Sequence, residues 1–184
     1  TTSVNFAAFG IYLPKYNGSI FELLSAPISA YEIVIGYAGA AASKSILISI
    51  LILLTSTIFV DFYIKHPLLM LLLLVITSIT FSLFGFIIGI WATNFEKLQL
   101  IPLIIITPLV FLGGSFYSIS MLPELWQHLT KFNPIFYIVN GFRWSFFGTS
   151  DIDLFTSLSL IIIFLFICLA IIGLIFKTGY RIKG

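Results

Sequence analysis

Hydrophobic positions along this chain gather into long, nearly unbroken runs, and polar positions fall in short links between them. About 20 predominantly apolar residues cover the hydrocarbon core of a bilayer as a helix. Four runs reach that length and predict transmembrane helices over 30–60, 68–92, 100–120 and 154–176. Residues 1–13 are apolar but too short to cross, and no methionine opens the chain. They are expected to be the end of an earlier membrane helix whose beginning is missing, so the sequence reads as N-terminally incomplete. The basic stretch and small-residue cleavage site of a secretory signal are not visible.

The run after residue 100 does not behave like a helix followed by an ordinary loop. It breaks at Gly113-Gly114, yet from Leu122 to Trp144 it stays aromatic and half-apolar, with only Glu124, Lys131 and Arg143 charged. Irregular backbone at membrane depth is tolerated only where protein or a water-filled cavity surrounds it. The 122–144 stretch is therefore expected to dip back into the bilayer or to line a cavity.

A second short element precedes the first long run. Pro14 and Asn17-Gly18 close the apolar stretch on its N-terminal side, and Pro27 ends the element itself. Between them Ser19 is placed to cap a short helix, with Glu22 three residues on as in a capping box. Ser29 then opens the long helix. A short helix carrying Phe21, Glu22, Leu23 and Leu24 either lies in the lipid interface or inserts as a knob into a soluble partner.

Composition agrees with the pattern. The chain is 60% hydrophobic and 9% charged, with a mean hydropathy of +1.16, against about 25% charged residues in soluble domains. A soluble fold is excluded, because too little polar surface would remain to face water. The single cysteine, Cys168, rules out an intrachain disulfide framework or a thiolate metal site.

Four crossings would put Lys15, Lys97, Lys177, Arg181 and Lys183 on one side. Lys65, Lys131 and Arg143 fall on the other, beside Asp61, Glu124, Asp151 and Asp153. The positive-inside rule then places the C-terminus in the cytoplasm. Lys44 falls inside the first span. Its stem either snorkels to the inner interface, or its charge faces the bundle interior. The small residues around it, from Gly36 to Ser45, predict close packing against another helix.

Several apparent motifs fail. A phosphate-binding loop ending in Lys44-Ser45 would need glycines where Ala38 and Ser43 stand, so no cofactor site is expected on this chain. Asn17-Gly18-Ser19 fits the glycosylation pattern but falls on the side assigned to the cytoplasm. His66 and His128 have no second ligand at metal spacing. No nucleophile–base or paired-carboxylate arrangement is visible, so the chain is read as a non-enzymatic subunit.

Taken together, Phe-Glu-Leu-Leu-Ser-Ala-Pro-Ile-Ser (21–29), Gly-Tyr (36–37), Thr-Pro-Leu-Val-Phe-Leu-Gly-Gly-Ser-Phe-Tyr-Ser (107–118), Leu-Pro (122–123) and Asn-Pro-Ile-Phe-Tyr-Ile-Val-Asn-Gly-Phe-Arg (133–143) carry a resemblance. In their order and spacing they resemble the ABC-2 type transport permeases, among them bacterial inner-membrane exporters. The resemblance implies a single all-α membrane domain over 1–184, with four complete transmembrane helices and the end of a fifth. It implies a cytoplasmic coupling helix over 17–27, where Phe21, Glu22, Leu23, Leu24 and Pro27 would meet an ATPase subunit that holds ATP-Mg. It also implies an outer re-entrant helical pair over 122–144, with Pro123 and Pro134 starting the arms. Gly113, Gly114, Tyr117, Asn133, Pro134, Tyr137 and Arg143 would line the substrate path or outer gate. Arg143 is equally readable as an interfacial anchor beside Tyr137 and Trp144, and Gly113-Gly114 as a close-packed helix end.

The partners implied are an ABC ATPase, a second permease copy and membrane lipid, with no nucleic acid. Two other classes share this hydropathy: an ATPase-independent channel or secondary transporter, and a membrane assembly subunit that transports nothing. Secondary transporters often carry paired charges at mid-membrane, which the runs here lack apart from Lys44.

Overall fold

The computed structural model describes residues 1–61 and 63–179, and their regular structure is helical. The elements are α1 (Thr2–Tyr16), α2 (Ile20–Ser25), α3 (Ala30–Phe59), α4 (Pro67–Trp91), α5 (Phe95–Phe111), α6 (Glu124–Lys131), α7 (Pro134–Phe147) and α8 (Leu154–Thr178), with a single 3₁₀ turn at Ile119–Met121. Three of these, α3, α4 and α8, are long and apolar enough to cross a membrane.

The expected crossing over 100–120 is corrected to α5, which has 17 residues, about 25 Å at ~1.5 Å per residue. Its start moves earlier because the Asn94 side chain accepts a hydrogen bond from Lys97 N and caps the helix there. It ends before the glycine pair, where Gly114 takes φ +77, a left-handed conformation that side chains with a Cβ avoid. The expected helix over 1–13 likewise runs on through Pro14 to Tyr16.

The α4 helix is the hub, packed by α1, α3, α7 and α8. Its closest neighbour is α1, which buries Val4, Ala7, Ala8 and Ile11. On the α4 side Gly85 and Gly89 leave room for that backbone: a Cβ at Gly85 would stand 2.7 Å from Val4 Cα. Small residues four apart let membrane helices approach until backbones touch. The small face expected on α3 is also used, with Ala38, Ala41, Ala42 and Ser45 buried. Beyond Ser45, α3 exposes Leu47, Leu51, Ile52, Leu54 and Ile58, side chains suited to lipid.

Lys44 is exposed, its ammonium 3.3 Å from the centroid of the Phe6 ring. A cation over a ring face is attracted by the ring quadrupole, which gives the charge a partner on α1.

Candidate functional site

The helices bring the candidate residues to two opposite ends of the bundle. At one end α1 hands over to α2, and α4 hands over to α5. Gly18, at φ +80, turns the chain out of α1, and α2 follows at once.

Spacing along α2 decides which side chains point outward. Ile20 is buried in the core that α1, α3, α4 and α8 share, and Leu23, three residues on, packs partly against it. Phe21 is left 52% exposed, and Glu22 and Pro27 are exposed too. The side chain of Leu24 lies outside the described residues. Leu23 is thus an anchor of α2, while Phe21, Glu22 and Pro27 form its free edge.

The cap expected at Ser19 is corrected. Ser19 has helical backbone angles and makes no capping hydrogen bond. The capping box sits instead at the start of α3: Glu32 N donates to Ser29 Oγ at 3.3 Å, and Ser29 N donates to Glu32 Oε2 at 2.6 Å. Ser29 is extended, as a capping residue must be, whereas Ser19 is already coiled into the turn.

The end of α1 is tied to the end of α4. Lys15 Nζ donates to the carbonyls of Ile90 at 2.5 Å and Ala92 at 3.2 Å. These are terminal carbonyls that α4 leaves without helical partners, and a lysine there also suits the negative end of the helix dipole. Tyr12 and Tyr16 both meet the edge of Phe95, each at 4.9 Å between ring centroids. The end of α1, which leads into α2, thus contacts the end of α4 and the start of α5.

At the opposite end α5, α7 and α8 converge. Asn133 caps α7 by accepting from Ile135 N at 3.0 Å and donates through Nδ2 to Leu109 O at 2.6 Å. Pro134 follows in the first turn, where its missing N–H costs nothing. Tyr137 donates to Lys131 O at 2.6 Å, which fixes the α6–α7 corner. Gly113 sits against Ile135, where an added Cβ would collide with it.

Arg143 holds this end together. Its Nη1 donates to Asp151 Oδ2 at 2.8 Å, and its Nη2 donates to Gly114 O at 2.7 Å and Tyr117 O at 3.4 Å. Asp151 also accepts from Ser118 Oγ at 2.6 Å and Ile119 N at 3.3 Å, and its own N–H donates to Asn140 Oδ1 at 2.9 Å. Burial pushes the Asp151 carboxyl upward, but the hydrogen bonds from Ser118 and Ile119 and the Arg143 charge outweigh it and hold the carboxyl below its ordinary range.

Of the sequence-derived candidates, Gly114, Tyr117 and Arg143 meet directly in this clamp, while Asn133, Pro134 and Tyr137 position α7 beneath it. Trp144, next to Arg143 in the chain, stacks on His66 at 4.4 Å between ring centroids. The sequence pattern does not single out Asp151, Ser118 or Asn140. The only signal for Asp151 is a carboxylate eight residues after Arg143, in the short link before α8.

With these features in place, the comparisons agree on a class. Residues 1–147 match the model of the family described as ABC-2 type transporter, and the chain belongs to that family. It is a multi-pass membrane protein of the permease type. The inner membrane transport permease YadH of Escherichia coli (strain K12) is 38% identical over 151 residues, which cover 82% of this chain and 59% of that permease. YadH of Shigella flexneri aligns with the same figures. Nodulation protein J of Rhizobium meliloti (strain 1021) is 26% identical over 68 residues, 37% of this chain and 26% of that protein. The chain thus spans about three fifths of the length of the YadH relatives. No solved structure matches.

Proposed function

We propose that the chain is the membrane part of an ATP-binding-cassette exporter of the bacterial inner membrane, with ATP-Mg hydrolysed on a separate ATPase subunit. The observation that carries this reading is the construction of α2. Ile20 and Leu23 pin it to the bundle, while Phe21, Glu22 and Pro27 are presented to solvent as one apolar anchor, one charge and one rigid corner. Such a knob suits a cleft in a soluble partner, and Glu22 suits a basic residue there.

Lys15, Lys97 and Lys177 stand at the α2 end of the bundle, which the positive-inside rule directs to the cytoplasm. Arg181 and Lys183, which add to that bias, lie outside the described residues. A second permease copy completes the transporter, since ATP-binding cassettes close as a pair.

Closure of the ATPase pair would push on α2, and the Lys15 joint would pass the push to α4 and α5. The Arg143 clamp at the far end would hold the 113–118 turn shut until the helices rearrange. Partner binding can drive this only by favouring one arrangement over the other.

Purification of the full-length protein from its native membrane, followed by ATP-dependent transport in reconstituted vesicles, tests the reading. An associated P-loop ATPase whose hydrolysis rises with the permease present is expected. Transport that proceeds without any ATPase would replace the exporter with a channel or secondary transporter.

A further inference from the structure

Two adjoining recesses lie where α4 and α8 begin, at the Arg143 end of the bundle, and Trp144 and Leu154 border both. One, of about 350 Å³, is walled by Pro67, Leu68 and Leu69 and carries Lys65. The other, of about 300 Å³, is walled by Gly148, Thr149 and Ser150 and carries Asp153. No residue before Lys65 lines either space. Their depth in the membrane follows from the helices. Each has 25 residues, about 37 Å at ~1.5 Å per residue, against ~30 Å of hydrocarbon core. Their first turns therefore reach the headgroup layer, and Lys65 and Asp153 stand just outside those turns.

The two charges are held apart. Lys65 N donates to Phe146 O at 3.2 Å and His66 N donates to Ser145 O at 2.9 Å, which ties this link to α7. The lysine stem lies over Gly148, where an added Cβ would stand 2.5 Å from Lys65 Nζ. The ammonium is thereby brought to the rim of the second recess as well. Asp151 is engaged by Arg143, whereas Asp153 makes no capping hydrogen bond, and among the described residues neither Lys65 nor Asp153 has an ion-pair partner. A cation and an anion that do not meet, in recesses sharing one tryptophan, complement a zwitterion better than a singly charged group.

We infer that these recesses hold one phospholipid of the surrounding bilayer with a phosphoethanolamine headgroup. Its phosphate meets Lys65, its ammonium meets Asp153, and its acyl chains run down Leu68 and Leu69. A primary ammonium brings three N–H donors to the carboxylate. A quaternary choline brings none, and a glycerol headgroup brings no positive charge. The inference rests on the membrane placement of α4 and α8 and not on an ATPase, so it stands or falls apart from the exporter reading.

The test uses the full-length protein in dodecyl maltoside, stripped of lipid and titrated with phosphatidylethanolamine, phosphatidylcholine or phosphatidylglycerol. Each lipid is brominated on the headgroup-proximal part of its acyl chains, where bromine quenches nearby indole fluorescence. Quenching that persists in Trp144→Phe is subtracted, which leaves the signal of Trp144. Phosphatidylethanolamine is expected to bind about fivefold more tightly than either of the others, the scale of one exposed ion pair. Lys65→Gln should weaken all three lipids, while Asp153→Asn should bring phosphatidylethanolamine to the level of phosphatidylcholine. Both side chains are exposed, so neither change threatens the fold. Equal affinity for the three lipids, no quenching of Trp144, unchanged binding in Lys65→Gln, or an ethanolamine preference that survives Asp153→Asn overturns the site.

Discussion

Arg143 on α7 and Asp151 in the α7–α8 link pair at 2.8 Å, and the same guanidinium holds Gly114 O at 2.7 Å. One side chain thereby fixes the turn after α5, the body of α7 and the approach to α8. The two side chains are 25% and 19% exposed, so solvent screens the pair and its coupling is worth about 1 kcal/mol. Arg143→Ala, Asp151→Asn and the double variant, compared by denaturant titration in detergent, should give that interaction energy. Strict additivity would show that the two residues act independently.

The clamp should be insensitive to pH through the neutral range and fail in acid. Asp151 has a folded-state pKa below its ordinary value, so its contribution is complete above the unfolded value of about 3.9. As pH falls through the folded value the contribution disappears, because the unfolded chain binds the proton more readily. Limited proteolysis of the 115–121 segment should stay flat from pH 8 to about pH 5 and accelerate only well below pH 4. Asp151→Asn should remove that acid step, and an identical acid step in the variant would place its origin elsewhere.

Gly85 is where α1 and α4 touch backbone to backbone. Gly85→Val should force the helices apart and cost about 1–3 kcal/mol or more, as overpacking does. Gly173→Ala on α8, where an added Cβ meets nothing within 4 Å, should be neutral or slightly stabilising because alanine favours the helix. Thermal unfolding of both variants in one detergent reads the difference, and equal midpoints would contradict the close contact.

The extents of α3, α4 and α8 were legible because each apolar run is punctuated by residues whose conformation is local: Ser29 capping α3, Pro67 starting α4, Asp153 preceding α8. The α5 boundary was not legible from hydropathy, since Ile119 and Leu122 continue the apolar run past Gly114, whose left-handed φ ends the helix. The choice between Ser19 and Ser29 as the capping-box residue also escaped the pattern, because each is followed three residues later by a glutamate. Backbone conformation separates them. Arg143 was visible as a candidate, but its partners come from segments 26 to 29 residues earlier and eight later, and only the fold brings those together. The Gly85–Gly89 contact was equally non-local: the spacing is plain in the sequence, but its use depends on Val4 and Ala8 lying opposite.

If α2 couples this chain to an ATPase through its exposed edge, as proposed, Phe21→Ala and Glu22→Lys should break that coupling most directly. Both side chains are exposed, so folding and expression should stay unchanged. Loss of the ATPase from the purified complex, or hydrolysis that continues while vesicle transport falls at least tenfold, is the predicted result. Variants that bind the ATPase and transport as well as the unmodified protein would contradict it.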